Sequence, residues 1–229
     1  MILEICMSTM DGKIPVWVLS ETKHPVLVVN QCDNDFVEQL SSTTRVLHTR
    51  SRGLAASRNL ALETSVANYV YFCDNDNHFF SDGLDVLLVA LKEEEPDAAI
   101  CSSNHPEFSY KEKKVLTLRD TFSIASWQIC VRRDVGLQAM FDTRFGLGSS
   151  KISHGEENIF LARILRRGCK IIGYPTTVVF HPDLGTGYLE NPNFYSEKLA
   201  IYREMVGLPL AIALLCRKFL IRWSRRVIG

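Results

Sequence analysis

The sequence has no excess of charge of either sign. Its 229 residues include 26 Lys and Arg and 26 Asp and Glu, which gives a formal net charge of zero. A protein that binds nucleic acid through its overall field needs a basic excess, so we expect no nucleic-acid partner. Hydrophobic residues make up 46 % of the chain and charged residues 23 %. These fractions and the length fit one globular domain with a sizeable core.

Paired cysteines and a leader-like N-terminus are also missing. The seven cysteines are isolated along the chain, and none stands in C-x-x-C spacing. This argues against a zinc site and a disulfide framework and favours reduced thiols. The chain opens on the strand-like run ILEICMSTM, with no basic flank followed by a cleavable apolar segment. We therefore expect no signal peptide and a cytoplasmic location.

Apolar runs and helix-like repeats alternate along the chain. Runs that predict strands cover residues 2–10, 25–30, 45–48, 69–73, 98–101, 127–132, 170–172 and 176–180. Helical patterns follow Gly53, begin at Ser81 or Asp82, and follow Gly155. This alternation predicts an α/β domain with a mostly parallel central sheet flanked by helices. Polar clusters come after Asn30 and Cys73, at strand ends where such sheets bind ligands.

The polar cluster after Cys73 has the chemistry of a cation site. The run YVYFCDNDNH ends its apolar part abruptly in Asp74, Asn75 and Asp76. Two carboxylates separated by one residue can share a hard divalent cation, and the cation can hold a phosphate-bearing substrate. Alternatively, these residues only form a turn, which Asp and Asn favour for their own reasons.

Three segments resemble bacterial glycosyltransferase family 2. They are GLAASRNLAL, YFCDND and FDTRFGLGSSKISHGEENIFLARILRRGCKIIGYPTTVVFHP, and the similarity spans roughly residues 1 to 205 in the expected order. Members of this family have a nucleotide-diphosphate-binding, Rossmann-like domain known as the GT-A fold. The resemblance implies an inverting transfer of a sugar from a nucleotide-sugar donor to a hydroxyl.

The resemblance also implies a donor site. Asp76 matches the metal ligand, and Asp74 matches a residue near the ribose or the water shell of the metal. Arg58 matches a basic residue near the nucleotide, and the alternative for it is a salt bridge on the helix surface. Where relatives often carry paired aspartates that read the base, this chain has Asn30 and Gln31, whose amides offer a donor and an acceptor; the donor base stays open. The full set of expected donor-binding residues is Thr9, Asn30, Gln31, Arg52, Arg58, Asp74 and Asn75.

The acid pair of the family corresponds to Glu156 and Glu157. Glu157 matches the general base, although relatives usually carry Asp there, so Glu156 also stays a catalytic candidate. Inversion by direct displacement needs one base for the acceptor proton and stabilisation of the departing diphosphate. A helix N-terminus favours the ionised form of both carboxylates. Alternatively, these glutamates only complement the helix dipole.

His181 matches a histidine that in several relatives completes the metal site or touches the diphosphate. A site formed by Asp76 and His181 favours Mn²⁺ over Mg²⁺, because Mg²⁺ prefers oxygen ligands alone. A structural role at the strand end is the alternative for His181. We expect a divalent cofactor.

The last residues predict an amphipathic basic helix, so we divide the chain into a GT-A domain, 1–206, and a tail, 207–229. Leu208–Cys216 is uncharged but too short to span a bilayer. One helical face then carries basic residues and the opposite face apolar ones: Lys218, Arg222, Arg225 and Arg226 against Phe219, Leu220, Trp223 and Val227. This pattern favours peripheral binding to anionic membrane. Packing on the domain, or on a second copy in a homo-oligomer, is the alternative.

Together these features predict a metal-dependent inverting glycosyltransferase at the cytosolic face of the membrane. Its acceptor would be a saccharide or a lipid-linked saccharide, in the synthesis of a bacterial surface polysaccharide. A sugar nucleotidyltransferase is the enzyme alternative, but Met7–Lys13 lacks the glycine-rich basic loop expected of one. An inactive binding module with the same fold is the non-enzymatic alternative.

Overall fold

The computed structural model of the chain describes residues 2–15, 23–149, 151–182 and 193–217. The chain divides into two compact units, Met1–Leu184 and Gly185–Gly229. Every residue of the predicted site lies in the first unit. The predicted domain boundary between residues 206 and 207 lies inside the second unit.

One mixed sheet forms the centre of the first unit. Its described strands are β1 (Leu3–Met10), β2 (Val26–Gln31), β3 (Phe36–Gln39), β4 (Thr44–Thr49), β5 (Tyr69–Asp74), β6 (His78–Phe79), β7 (Ala98–Ser103), β8 (Lys114–Val115), β9 (Ile129–Arg132) and β10 (Ile171–Phe180). Their order is β3-β4-β2-β1-β5-β9-β7-β10-β6, with β8 also paired to β10. Strands β4, β2, β1 and β5 run parallel, as do β7 and β10. Strand β9 lies antiparallel between β5 and β7.

Helices cover both faces of this sheet. They are α1 (Leu54–Thr64), α2 (Ser81–Glu94), α3 (Arg133–Ala139) and α4 (Glu156–Arg166). Alternate residues of β1 enter two different cores, because side chains along a strand point to opposite faces. One core includes Leu62 of α1 and Phe160 of α4, and the other includes Leu84 and Leu87 of α2. The prediction of an α/β domain with a central sheet flanked by helices is confirmed. The sheet is mixed rather than mostly parallel, because β3, β6, β8 and β9 pair antiparallel with their neighbours.

Several elements differ from the sequence prediction. The predicted strands 170–172 and 176–180 form one strand, β10, whose pairing with β7 shifts register between Tyr174 and Thr177. Pro175 lies within this shift, and proline cannot donate to a ladder. The sequence pattern did not reveal β3, whose four residues are all exposed, or α3, which has only seven residues. Neither element is long or apolar enough to produce a periodic signal.

The second unit contains α5 (Phe194–Val206), followed by helical residues 208–217. Leu208, Leu210 and Ile212 are exposed. Most of the predicted basic helix, from Lys218 onward, lies outside the described residues. Of the helices that the structure describes, none is long and apolar enough to cross a membrane.

Candidate active site

A tight turn after β5 presents the two aspartates of the predicted cation motif. The Asp74 N–H donates to Asn77 Oδ1 at 2.7 Å, and the Asn77 N–H donates back to the Asp74 carbonyl at 3.2 Å. Asn77 is completely buried, whereas the Asp76 side chain is 52 % exposed. The turn that the alternative interpretation proposed is therefore present. Asn77 closes it, and the Asp76 carboxylate is accessible to solvent.

Asp76 and His181 lie together although 105 residues separate them in the sequence. His181 Nε2 is 3.8 Å from Asp76 Oδ1. Two ligands that are each about 2.1 Å from one cation lie at most about 4.2 Å apart, so this separation fits a shared metal ion. A mixed nitrogen and oxygen pair suits Mn²⁺. Among the described residues no group of three His, Cys, Asp or Glu could hold a metal.

Arg58 lies buried between two carboxylates. One guanidinium nitrogen donates to Glu156 Oε1 at 2.6 Å and another donates to Asp74 Oδ1 at 3.1 Å, while the Arg58 side chain is only 1 % exposed. Burial acts to lower the pKa of Arg58, but Asp74 and Glu156 outweigh burial and raise it. Arg58 is therefore a charged link between the end of β5 and the start of α4. The interpretation of Arg58 as a surface salt bridge on α1 is wrong, because the residue is buried.

The two glutamates at the start of α4 have different surroundings. Glu156 is 3 % exposed, and a Cβ at Gly146 would come within 3.0 Å of its Cδ. Gly146 has a φ of +97°, so this close approach depends on glycine in the FDTRFGLG loop. Glu157 is only partly buried. Of the two side chains, Glu157 is therefore the accessible one.

Burial, followed by repulsion from Glu156, raises the pKa of Glu157 well above its ordinary value. This direction is opposite to the effect expected from the helix N-terminus alone. The reason is that the carboxyl group loses hydration and faces a second carboxylate, and both effects disfavour its ionised form. A carboxylate whose pKa is raised is a stronger base than an ordinary one once it has lost its proton.

The amides of Asn30 and Gln31 bind the polypeptide itself. The Gly12 N–H donates to Asn30 Oδ1 at 2.9 Å, while Asn30 Nδ2 donates to His48 Nδ1 at 3.1 Å. The Gly53 N–H donates to Gln31 Oε1 at 2.7 Å. Both amides are almost fully buried. They hold the loop after β1 and the start of α1, so each carbonyl oxygen already accepts a hydrogen bond from the backbone.

Of the other expected donor-binding residues, Thr9 is also buried, whereas Arg52, Asp74 and Asn75 are more accessible. Asn75 Nδ2 donates to Thr9 Oγ1 at 3.4 Å, which joins the ends of β5 and β1. The Arg52 side chain is 45 % exposed and pairs with Asp33 at 2.6 Å. Asp74, at 29 % exposure, lies between the buried Arg58 and the surface. These residues line the carboxyl edge of the sheet, where parallel strands end.

The sequence analysis did not single out Asn77, Asn104 or Trp127. Asn77 closes the turn before Asp76, and Asn104 and Trp127 contact His181. Asn77 follows an Asp-Asn-Asp run, which is a turn signal that could have identified it. The contacts of Asn104 and Trp127 with His181 join residues more than 50 positions apart, so local patterns carry no sign of them.

Comparison with known proteins supports the resemblance. The sequence profile of glycosyl transferase family 2 matches residues 22–147, which is more than half of the chain. An uncharacterized glycosyltransferase of Rickettsia felis is 25 % identical over 84 residues, which cover 34 % of this chain and 14 % of that protein. A second one, from Rickettsia conorii, is 23 % identical over the same shares.

Solved structures show the same fold. The crystal structure of S. aureus TarS residues 1–349 has a TM-score of 0.65 and 16 % identity, and the match covers 89 % of this chain and 65 % of TarS. The same fragment in complex with UDP-GlcNAc gives a TM-score of 0.64 at 15 % identity and covers 89 % and 66 % of the two chains. This chain therefore spans less than two thirds of these relatives, and the likeness concerns the GT-A fold. From the family profile, this chain belongs to glycosyl transferase family 2.

Proposed function

We propose that the protein transfers a sugar from a nucleoside-diphosphate donor to a hydroxyl group with inversion. The observation that carries the proposal is the meeting of Asp76 and His181 at 3.8 Å. Beside them, Arg58 links Asp74 to the helix that bears Glu157. Support also comes from membership in the family and from the TarS structures in complex with UDP-GlcNAc and with UDP.

Glu157 is the base of this proposed reaction. Glu156 is buried and held by Arg58 at 2.6 Å, so its carboxylate has no path to an acceptor hydroxyl. Glu157 is the more accessible of the pair, and its raised pKa makes its carboxylate a stronger base once it is ionised. The acceptor oxygen, as it loses its proton to Glu157, attacks the anomeric carbon from the side opposite the diphosphate. The bond to the diphosphate breaks, and the configuration inverts.

Asp76 and His181 would hold a divalent metal, with Mn²⁺ favoured over Mg²⁺ by the imidazole ligand. When bound, the metal supplies positive charge that stabilises the departing diphosphate. Thr9, Arg52, Asp74 and Asn75 line the same sheet edge and are proposed to contact the donor. Arg58, Asn30 and Gln31 support this edge from within, through their bonds to Glu156, Gly12 and Gly53.

The experiment compares wild-type protein with Glu157→Gln and Glu156→Gln. Binding of UDP, GDP, CDP and dTDP in the presence of Mn²⁺ is measured by thermal shift. Transfer is measured as release of the nucleotide from the matching nucleotide sugar, with a crude glycolipid and polysaccharide extract as acceptor. We expect Glu157→Gln to keep donor binding and to lose transfer by about 10²–10⁴-fold. Full transfer by this variant would assign the base elsewhere, and the absence of binding by all four nucleotides would end the proposal.

The acceptor is proposed to be a lipid-linked saccharide at an anionic membrane, as part of surface-polysaccharide synthesis. Leu208, Leu210 and Ile212 are exposed on the helical residues 208–217, and the sequence has no acidic residue after Glu204. Apolar and basic groups together favour peripheral binding. In sedimentation with phosphatidylglycerol vesicles, the protein should bind, and Arg222→Gln/Arg225→Gln/Arg226→Gln should reduce binding. Equal sedimentation of both proteins would contradict the role of the basic residues, and failure of the wild-type protein to sediment would contradict membrane binding.

A further inference from the structure

We propose that Asn104 and Trp127 are positioning residues that hold the His181 imidazole toward Asp76, so that the two side chains can bind one divalent cation. The inference rests on the proposed function, because it concerns the same metal pair. Neither residue touches the donor or the cation in this proposal. Their role is to remove the freedom that His181 would otherwise have at the end of a strand.

Asn104 continues the hydrogen bonding between β7 and β10 beyond the last paired residues of the two strands. The pairing of β7 with β10 ends at Ser103 and Val179, and the Asn104 N–H still donates to the Val179 carbonyl at 3.3 Å. Beyond this point the side-chain amide of Asn104 makes the hydrogen bonds to His181 that the backbone of a paired strand would otherwise make. The His181 N–H donates to Asn104 Oδ1 at 2.8 Å, and Asn104 Nδ2 donates to the His181 carbonyl at 3.1 Å.

An amide suits this task because it offers a donor and an acceptor side by side. His105 Nε2 donates to the same His181 carbonyl at 2.8 Å. Both backbone polar groups of His181 are thus bonded although the strand has ended. The direction in which its Cβ leaves the chain is therefore set by residues 104 and 105, immediately after β7.

Trp127 fixes the ring of His181. The two rings stack with centroids 5.0 Å apart and planes at 26°. The His181 side chain is only 8 % exposed, whereas its neighbour Asp76 is 52 % exposed. A stacked indole covers one face of the imidazole and leaves the Nε2 edge toward Asp76. The cation would therefore be approached through the ring edge that carries Nε2.

Trp127 is in turn bound to the strand that delivers Asp76. The Tyr71 O–H donates to the Trp127 carbonyl at 3.0 Å, and Tyr71 lies in β5, five residues before Asp76. Burial raises the pKa of Tyr71 well above its ordinary value, so its hydroxyl stays a donor. The positions of both predicted metal ligands thus depend on one buried strand, β5, which carries Asp76 and supports His181 through Tyr71 and Trp127. This arrangement keeps their separation fixed while the nucleotide enters and leaves.

The competing explanation is that Trp127, Phe108 and His105 form only a small aromatic core under the loop after β7. Phe108 packs on Trp127 with centroids 5.0 Å apart, which is consistent with that explanation too. The two explanations differ in one measurable quantity. A structural cluster affects stability alone, whereas groups that orient a metal ligand change metal affinity by about 10–100-fold when removed.

The test measures the affinity of the full chain for Mn²⁺ by electron paramagnetic resonance, which detects the free ion. The donor, UDP-GlcNAc or whichever nucleotide sugar binds, is present at saturating concentration. Asn104→Ala and Trp127→Leu should bind Mn²⁺ about 10–100-fold more weakly than wild type. Trp127→Phe keeps a stacking ring and should retain most of the affinity. Asn68→Ala is the matched control, because Asn68 also bonds a backbone N–H, that of Ile2 at 2.8 Å, at the opposite edge of the sheet.

Circular dichroism on the same samples separates misfolding from loss of affinity. If Asn104→Ala does not fold, Asn104→Asp, which keeps the acceptor for the His181 N–H, replaces it and should bind Mn²⁺ more weakly than wild type. Folded variants that bind Mn²⁺ like wild type would overturn the positioning role and leave the proposed function intact. A wild-type chain that binds donor without Mn²⁺ would overturn the metal site itself, and the positioning role with it.

Discussion

At the scale of the residue, Arg58 decides how the site is built. A buried guanidinium is stable only when carboxylates compensate for its lost hydration. Arg58 has two such partners, and they belong to different elements: Asp74 ends β5 and Glu156 begins α4. The permanent charge that makes arginine a good phosphate ligand here pairs with two carboxylates inside the protein. Removing it would leave Glu156 as an unpaired buried charge.

We expect Arg58→Met to lower the free energy of unfolding by about 3–5 kcal/mol, because one partner of a buried ion pair is left alone. Arg58→Met/Glu156→Met should recover part of this loss, since apolar replacement of a whole pair is often tolerated. Arg52→Met is the control, because this exposed arginine should contribute less than about 1 kcal/mol. Urea unfolding measures all four proteins. A single Arg58→Met variant as stable as wild type would show that the buried pair is not needed.

Glu157 gives a prediction for the pH dependence of transfer. A base must be deprotonated to act, so kcat/KM should rise as the pH increases through the raised pKa of Glu157. Glu156→Gln removes a negative charge that contributes to raising this pKa. The acidic limb of the profile should therefore move to lower pH in Glu156→Gln, if the variant folds. If the acidic limb stays in place or moves to higher pH, repulsion from Glu156 is not what raises the pKa of Glu157.

At the scale of the element, the contact between α2 and β10 positions the strand that ends at His181. Gly83 in the first turn of α2 approaches the backbone of β10 so closely that a Cβ there would lie 2.2 Å from the Thr177 carbonyl oxygen. The neighbour is backbone and cannot move without shifting the strand. Thr177 lies four residues before His181, so the position of His181 relative to Asp76 depends on this packing.

Gly83→Ala should destabilise the protein by about 1–3 kcal/mol through overpacking, although alanine favours a helix more than glycine does. Gly136→Ala in α3 is the matched control. Its Cβ would meet the end of the Leu62 side chain at 2.6 Å, and a side-chain end can move aside. Thermal unfolding compares the two variants with wild type. Equal losses of stability in both would contradict the account of a rigid contact between α2 and β10.

Long buried strands could be predicted from the sequence, and short or exposed elements could not. Burial on both faces makes β2 and β5 continuous apolar runs, which is why their bounds agree with prediction to within one residue. The reversed direction of β9 leaves no trace in its composition, since ICVR reads the same in a parallel or an antiparallel pair. Strand β3 is exposed along its whole length. The existence of β3 and the direction of β9 depend on the strands that they pair with, and the local sequence does not specify those partners.

At the scale of the whole molecule, the topology gathers residues that are distant in sequence. Strands β1, β2 and β5 deliver Thr9, Asn30 and Asp74 to one edge of the sheet. The family resemblance predicted which residues meet there, because it carries the order of the motifs. It did not predict that Arg58 is buried or that the amides of Asn30 and Gln31 bind the backbone. Those facts depend on contacts between distant segments.

In the proposed function, Asp76 and His181 form a metal-dependent site for a nucleoside diphosphate. Isothermal titration of UDP and the other nucleoside diphosphates, with and without Mn²⁺, tests it most directly in wild type, Asp76→Asn and Asp85→Asn. Asp85 is a matched control, because its side chain is 54 % exposed and that of Asp76 is 52 % exposed.

We expect one nucleotide class to bind the wild type and Asp85→Asn only when Mn²⁺ is present. We expect Asp76→Asn to weaken this binding at least about tenfold, which corresponds to about 1.4 kcal/mol. If binding needs no metal and Asp76→Asn leaves it unchanged, Asp76 and His181 do not form a metal site for the nucleotide.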